Sequence, residues 1–133
     1  MRIIEAFSNS IHATIVHDGI RIFRANELAV KLFGYESSKE LAAVGIAGIV
    51  APESKWLSAK RVEQLRKHPD QNLPDAQLTL IRKDKTCFVA SVHTKTLRWA
   101  FLENFDDMAE LRNKLETDII FYSWVGEDIQ ECP

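Results

Sequence analysis

The sequence predicts an α+β domain, a five-stranded antiparallel sheet with short helices on one face and a further helix towards the C-terminal end. Apolar residues alternate with polar ones over much of residues 11–24 and 76–97, the strand period, and recur near every 3.6 positions over 26–34 and 52–68, the helix period. Between these runs stand residues with defined turn and cap chemistry: Asp18-Gly19, Asn26, Gly34, Pro52 and Pro69. No internal repeat or low-complexity tract breaks the order.

Residues 1–10 read as a lead-in helix with Ile3, Ile4 and Phe7 on one side, ended by Ser8-Asn9-Ser10. Residues 11–16 are rich in branched side chains and stop at Asp18-Gly19, whose glycine supplies the left-handed turn into a second strand over 20–24. Asn26 is placed to cap the next helix, on which Leu28, Ala29, Leu32 and Phe33 share one face while Glu27 and Lys31 point away. Gly34 lets that helix end without a Cβ clash. Ser37 and Ser38 with Glu40 mark another short helix that closes near Gly45. Pro52-Glu53 starts a longer helix that Pro69 stops. Along it Trp56, Ala59, Val62 and Leu65 form the predicted apolar stripe, with Lys60, Arg61, Glu63, Gln64 and Lys67 on the wet side. The period then changes to two: strands over 76–81, 86–97 and 99–105 follow, then a helix carrying Met108, Leu111 and Leu115.

A chain of 133 residues, 46% of them hydrophobic, buries one core and leaves little for a second domain. The predicted organisation is one domain over 1–117 and an apolar tail or helix extension over 118–133, which carries Ile119, Ile120, Phe121, Tyr122, Trp124 and Val125. A net charge of −2 with interspersed signs argues against nucleic acid or an anionic membrane surface as the main partner. The first residues, Met1-Arg2-Ile3-Ile4-Glu5, form too short an apolar run for a secretion signal or membrane insertion, so a cytoplasmic location is expected. Cys87 inside a strand and Cys132 beside the last residue suggest neither a disulfide framework nor a metal pair, and read as incidental thiols.

The β-β-α opening over 11–34, Gly34-Tyr35 followed by Ser38-Lys39-Glu40-Leu41, the helix start Ala51-Pro52-Glu53, Arg82-Lys83-Asp84 at a hairpin and Asp107-Met108-Ala109-Glu110 after the last strand stand in one order. In that order and spacing the chain resembles a PAS sensory domain over about residues 8–117. Two departures carry structural expectations. The interval from Gly19 to Asn26 is one residue longer than usual, which implies a bulge in the second strand. Lys85 stands where many members have glycine, which implies either strain at that hairpin or a longer loop.

The resemblance implies a non-catalytic sensor of signal transduction, in bacterial two-component systems for instance, that binds a small ligand or a partner and dimerises. Phe23 or Ile22, Leu32, Trp56, Val62 and Phe88 are the candidate pocket residues. Met108, Leu111 and Leu115 are the candidate dimer helix, and Arg82 (or Lys83), Asp107 and Glu110 the signalling junction. A homodimer is the expected assembly and an effector such as a kinase or cyclase the expected partner. Haem is disfavoured because the long helix carries only His68, at its very end, and covalent flavin because residues 45–50 hold no cysteine. No cofactor is expected. His12, His17, His68 and His93 are scattered over separate elements and read as ordinary strand or surface histidines. Asp106 and Asp107 are adjacent carboxylates, but neighbours at a strand end point apart and Asp107 is better placed as a helix cap. Two other readings stay open: a dimerisation scaffold with a filled core, and a small isomerase or hydrolase using an inward carboxylate such as Glu103 or Asp106.

Overall fold

The computed structural model describes residues 11–97 and 120–133. In chain order the elements are β1 (Ala13–His17), β2 (Ile22–Ala25), α1 (Glu27–Phe33), α2 (Ser38–Val44), a 3-10 turn (Ile46–Gly48), α3 (Pro52–Lys67), β3 (Ala76–Ile81), β4 (Cys87–Leu97), β5 (Ile120–Val125) and β6 (Gln130–Glu131). The sheet runs β2-β1-β5-β4-β3, with β6 paired to β4, and every strand pair is antiparallel. Its inner face packs on α1, α2 and the 3-10 turn through Ala13, Ile15, Leu78, Leu80, Phe88, Ala90 and Val92 from the strands and Ala29, Phe33, Leu41 and Ile49 from the helical side. The α+β reading with helices on one face therefore holds.

Local chemistry explains the first half. Gly19 takes a φ of 94° in the turn, and Asp18 Oδ1 accepts from the amides of Ile20 (2.9 Å) and Arg21 (2.7 Å). The pairs Val16 with Arg24 and His17 with Ile22 leave Phe23 unopposed, which is the bulge implied by the long Gly19 to Asn26 interval. Asn26 caps α1 through Ala29 N–H (3.0 Å) and also accepts from Thr14 N–H (3.0 Å), while its Nδ2 donates to His12 O (2.9 Å). One side chain thus fixes both the helix start and its distance from β1. Lys85 sits at a φ of 74°, so the hairpin that lacks the usual glycine does hold a left-handed lysine.

Four expectations are corrected. Leu28 is 42% exposed while Val30 is buried, so α1 is turned by about one position from the predicted face. In α3 the buried residues are Ser54, Arg61 and Leu65, and Trp56 lies 70% exposed under the Lys60 ammonium. The predicted stripe had a period near three; the observed one, through Ser58, follows the true helical repeat at 54, 58, 61 and 65. The tail is no helix extension: residues 120–125 form β5, between β1 and β4, and so belong to the sheet itself. A boundary at residue 117 would cut this strand away. Finally, Cys87 and Cys132 form a disulfide, because β6 pairs with the start of β4 and brings the two Cα atoms to 5.4 Å. The lead-in over 1–10, the strand over 99–105 and the helix carrying Met108, Leu111 and Leu115 lie outside the described residues.

The disulfide spans 45 residues and closes a loop that includes β5. Reduction, or Cys132→Ser, is expected to lower unfolding free energy by about 2–4 kcal/mol, read from urea melts with and without reductant. Lys85→Gly should raise it by about 0.5–1 kcal/mol by relieving the left-handed backbone, read in the same assay.

Candidate functional site

Between α3 and the inner face of the sheet the structure leaves a cavity of about 40 Å³. Ala13, Ile15, Leu78, Leu80, Val92 and Val125 make its apolar wall on the strand side, and Phe33, Ile46, Ile49 and Val50 close the other. His17, Ser58, Arg61, Thr94 and Ser123 are the polar lining residues.

The polar residues are ordered. Gly19 N–H donates to His17 Nδ1 at 3.0 Å, so that nitrogen is the acceptor and the ring proton sits on Nε2, which donates to Ser123 Oγ at 2.8 Å. Ser123 Oγ and Thr94 Oγ1 are themselves 2.8 Å apart. Hydrogen bonds thus cross from β1 to β5 to β4 at the floor of an otherwise apolar space. Burial pushes the His17 pKa down to about 4, with Asp18 opposing and Arg66 reinforcing the shift. The imidazole is neutral at physiological pH.

On the facing helix Arg61 is only 8% exposed. Its Nη1 donates to Pro74 O at 2.7 Å and its Nη2 to Val92 O at 3.4 Å, the second a long contact. Its pKa is lowered by burial, partly offset by Asp75. One turn on, Arg66 donates to Asp18 O, and a Cβ at Gly19 would come within 2.8 Å of Val62, so the β1–β2 turn is seated directly on α3. That contact sets the height of the cavity.

Of the predicted pocket residues only Val62 lines this space. Leu32 is half-buried against the core, Phe88 is fully buried 5.7 Å from the Phe33 ring, Phe23 lies half-buried beneath Arg21, and Trp56 faces outward. Ile22, the alternative to Phe23, is buried in the core. At the hairpin Arg82 binds both carboxylate oxygens of Glu131 at 2.6 Å, and Lys83 meets Glu40 at 3.1 Å. Asp107 and Glu110, like Glu103 and Asp106, lie outside the described residues. Sequence reasoning missed His17, Arg61, Thr94 and Ser123 as a group. Thr94 was within reach, since it shares the inward parity of Phe88, Ala90 and Val92. Ser123 was not, because its strand had been read as a tail.

No family model matches this sequence, and no curated protein matches it. Solved structures do. The PAS domain of an HTR-like protein from Haloarcula marismortui superposes with a TM-score of 0.64 at 15% identity, covering 96% of this chain and 87% of that one. A domain of the sensory box sensor histidine kinase/response regulator from Geobacter sulfurreducens gives 0.65 at 10% identity, covering 94% and 90%. The PAS domain, in complex with ethanol, of a LuxR-family transcriptional regulator from Burkholderia thailandensis gives 0.60 at 10% identity, covering 98% and 97%. Among the described residues no helix is long and apolar enough to cross a membrane.

The buried neutral histidine makes a pH signature. Its folded pKa lies below the unfolded value of 6.5, so the unfolded state takes up protons first and stability falls as the pH drops from 6.5 towards 4. By pH 5 the loss from this group is about 2 kcal/mol. His17→Gln should remove that component, so subtracting its urea-melt stabilities at pH 7.5 and 5 from those of the unaltered chain isolates it.

Proposed function

The chain has the PAS fold, and from that premise we propose that it is a sensory or regulatory module of signal transduction whose input is a small molecule held in the cavity beneath α3. The carrying observation is the His17–Ser123–Thr94 line at the floor of an apolar space. A scaffold with a filled core has no use for three mutually bonded polar side chains there, since burying them costs desolvation that well-packed aliphatic residues avoid. They specify a ligand's orientation.

Volume limits the ligand. One water molecule needs about 10–15 Å³ of cavity, so 40 Å³ admits a molecule of roughly two to four heavy atoms. The ethanol in the Burkholderia thailandensis neighbour is of that size. With a ceiling of about 1.5 kcal/mol per heavy atom, the affinity is bounded at the millimolar range for two atoms and tens of micromolar for four. In this reading the segment carrying Met108, Leu111 and Leu115 pairs with its copy in a homodimer. It also carries output to an effector such as a kinase or cyclase, with Asp107, Glu110 and the hairpin's Arg82 at the junction. The sensor histidine kinase/response regulator origin of the Geobacter sulfurreducens neighbour supports that role.

Titration of the full chain with ethanol and with acetamide, followed by amide chemical shifts, tests the cavity. Saturable shifts at Ile15, Val92, Thr94 and Ser123 are expected, and Ser123→Val should weaken acetamide binding about tenfold or more. Shifts absent at saturating probe, or confined to surface residues, would return the core to a filled scaffold.

A further inference from the structure

The geometry points to a short-chain carboxylate, of the size of formate or acetate, as the ligand of this cavity, its carboxylate held by the Arg61 guanidinium and the Thr94–Ser123 hydroxyl pair. This rests on the cavity being a ligand site and names the ligand's chemical class. Three observations carry it.

The first is the count of hydrogens. A guanidinium has five N–H groups, and the acceptors of Arg61 are two main-chain carbonyls, Pro74 O and Val92 O. Three N–H groups are left over. The second is charge. Arg61 is nine-tenths buried, yet among the described residues no carboxylate forms an ion pair with it, and Asp75 acts on it only through space while bonded to His93. A buried cation without a contacting anion is costly, and a carboxylate matches its planar fork better than any neutral group.

The third is the hydroxyl pair. Ser123 and Thr94 have one hydroxyl hydrogen each, and their single mutual contact uses one. With the His17 Nε2 proton already given to Ser123, one hydrogen from the pair remains for the cavity. Its unused fixed hydrogens are thus all donors, on a cation and a hydroxyl. Val92, whose carbonyl Arg61 touches, is two residues from Thr94 on the same strand, a step of about 6.6 Å. Arg61, Val92, Thr94 and Ser123 all line the cavity, so the guanidinium and the hydroxyls address one space that a single carboxylate, with two acceptor oxygens, can share.

The test compares isosteres at constant ionic strength: sodium acetate against acetamide, with sodium formate and ethanol as the shorter pair, titrated into the full chain and read by amide shifts. Acetate is expected to bind at least about tenfold tighter than acetamide, with shifts at Val92, Thr94 and Ser123. In Arg61→Gln the acetate-to-acetamide ratio should fall to near one, and in Arg61→Lys it should be intermediate. If Arg61→Gln fails to fold by circular dichroism, the ratio in the unaltered chain and in Arg61→Lys decides. Acetamide binding as tightly as acetate overturns the carboxylate assignment while leaving the cavity a ligand site. Binding of no probe in the cavity removes both, and acetate shifts confined to surface lysines remove the carboxylate assignment.

Discussion

The sheet exists as one body because β5 lies between two hairpins that are not paired with each other. β1 and β2 form one antiparallel pair and β3 and β4 another, and the full ladder from Ala13–Val125 to His17–Phe121 on one side, with Val92–Val125 to Leu97–Ile120 on the other, runs through β5. That strand is separated from β1 by more than a hundred residues of chain, so the sheet's centre depends on contacts with a large loop-closure cost. Its composition suits the task. Ile120, Phe121 and Val125 are buried, while Ser123 gives β5 an inward hydroxyl opposite Thr94.

How much of this was legible in the sequence follows from where each signal resides. Caps and turns are local: Asn26, Gly34, Ser37, Gly45 and Pro52 each govern a few neighbouring amides or torsions, and each stands where its chemistry places it. The bulge at Phe23 and the left-handed Lys85 were readable only through the family resemblance, as departures from its usual interval and its usual glycine. The face a helix buries is a tertiary property. On α3 Trp56 looked like core by size, yet the helix turns Arg61 inward because Pro74 and Val92 present carbonyls to it, and Arg66 fastens the next turn to Asp18. Periodicity counts apolar residues and cannot see acceptors on a distant strand. The role of residues 120–125 escaped for a similar reason, since an apolar run at the end of a sequence does not say which strands it joins.

The cavity follows from the same placement of α3. Val62 resting on Gly19 and Arg66 gripping the β1–β2 turn hold the helix off the sheet at one end, while Ala51 N–H bonded to Thr79 O (2.9 Å) and Ser54 Oγ accepting from Thr79 N–H (2.8 Å) anchor the other. With both ends pinned to backbone, α3 cannot settle onto small residues such as Ala13, and the space between persists. Partnership, rather than polarity, decides which polar residues it contains: His17 is accommodated because both its ring nitrogens are engaged.

A change inside this space has a direct mechanical exit. Ser123, which accepts from His17, lies between Tyr122 and Trp124, whose side chains alternate to the opposite face of the sheet and stack with ring centroids 5.6 Å apart. His93, which stands between Val92 and Thr94, stacks on Trp124 at 3.9 Å across the β4–β5 ladder. A ligand that draws the Thr94 and Ser123 hydroxyls therefore pulls on two strands whose outward residues form one aromatic stack. Because successive residues of a pleated strand share one backbone, occupancy of the inner face, in the reading proposed above, would be felt on the outer face without any rearrangement of the helices. With α3 pinned at both ends, the sheet is the route by which the proposed input would leave the cavity.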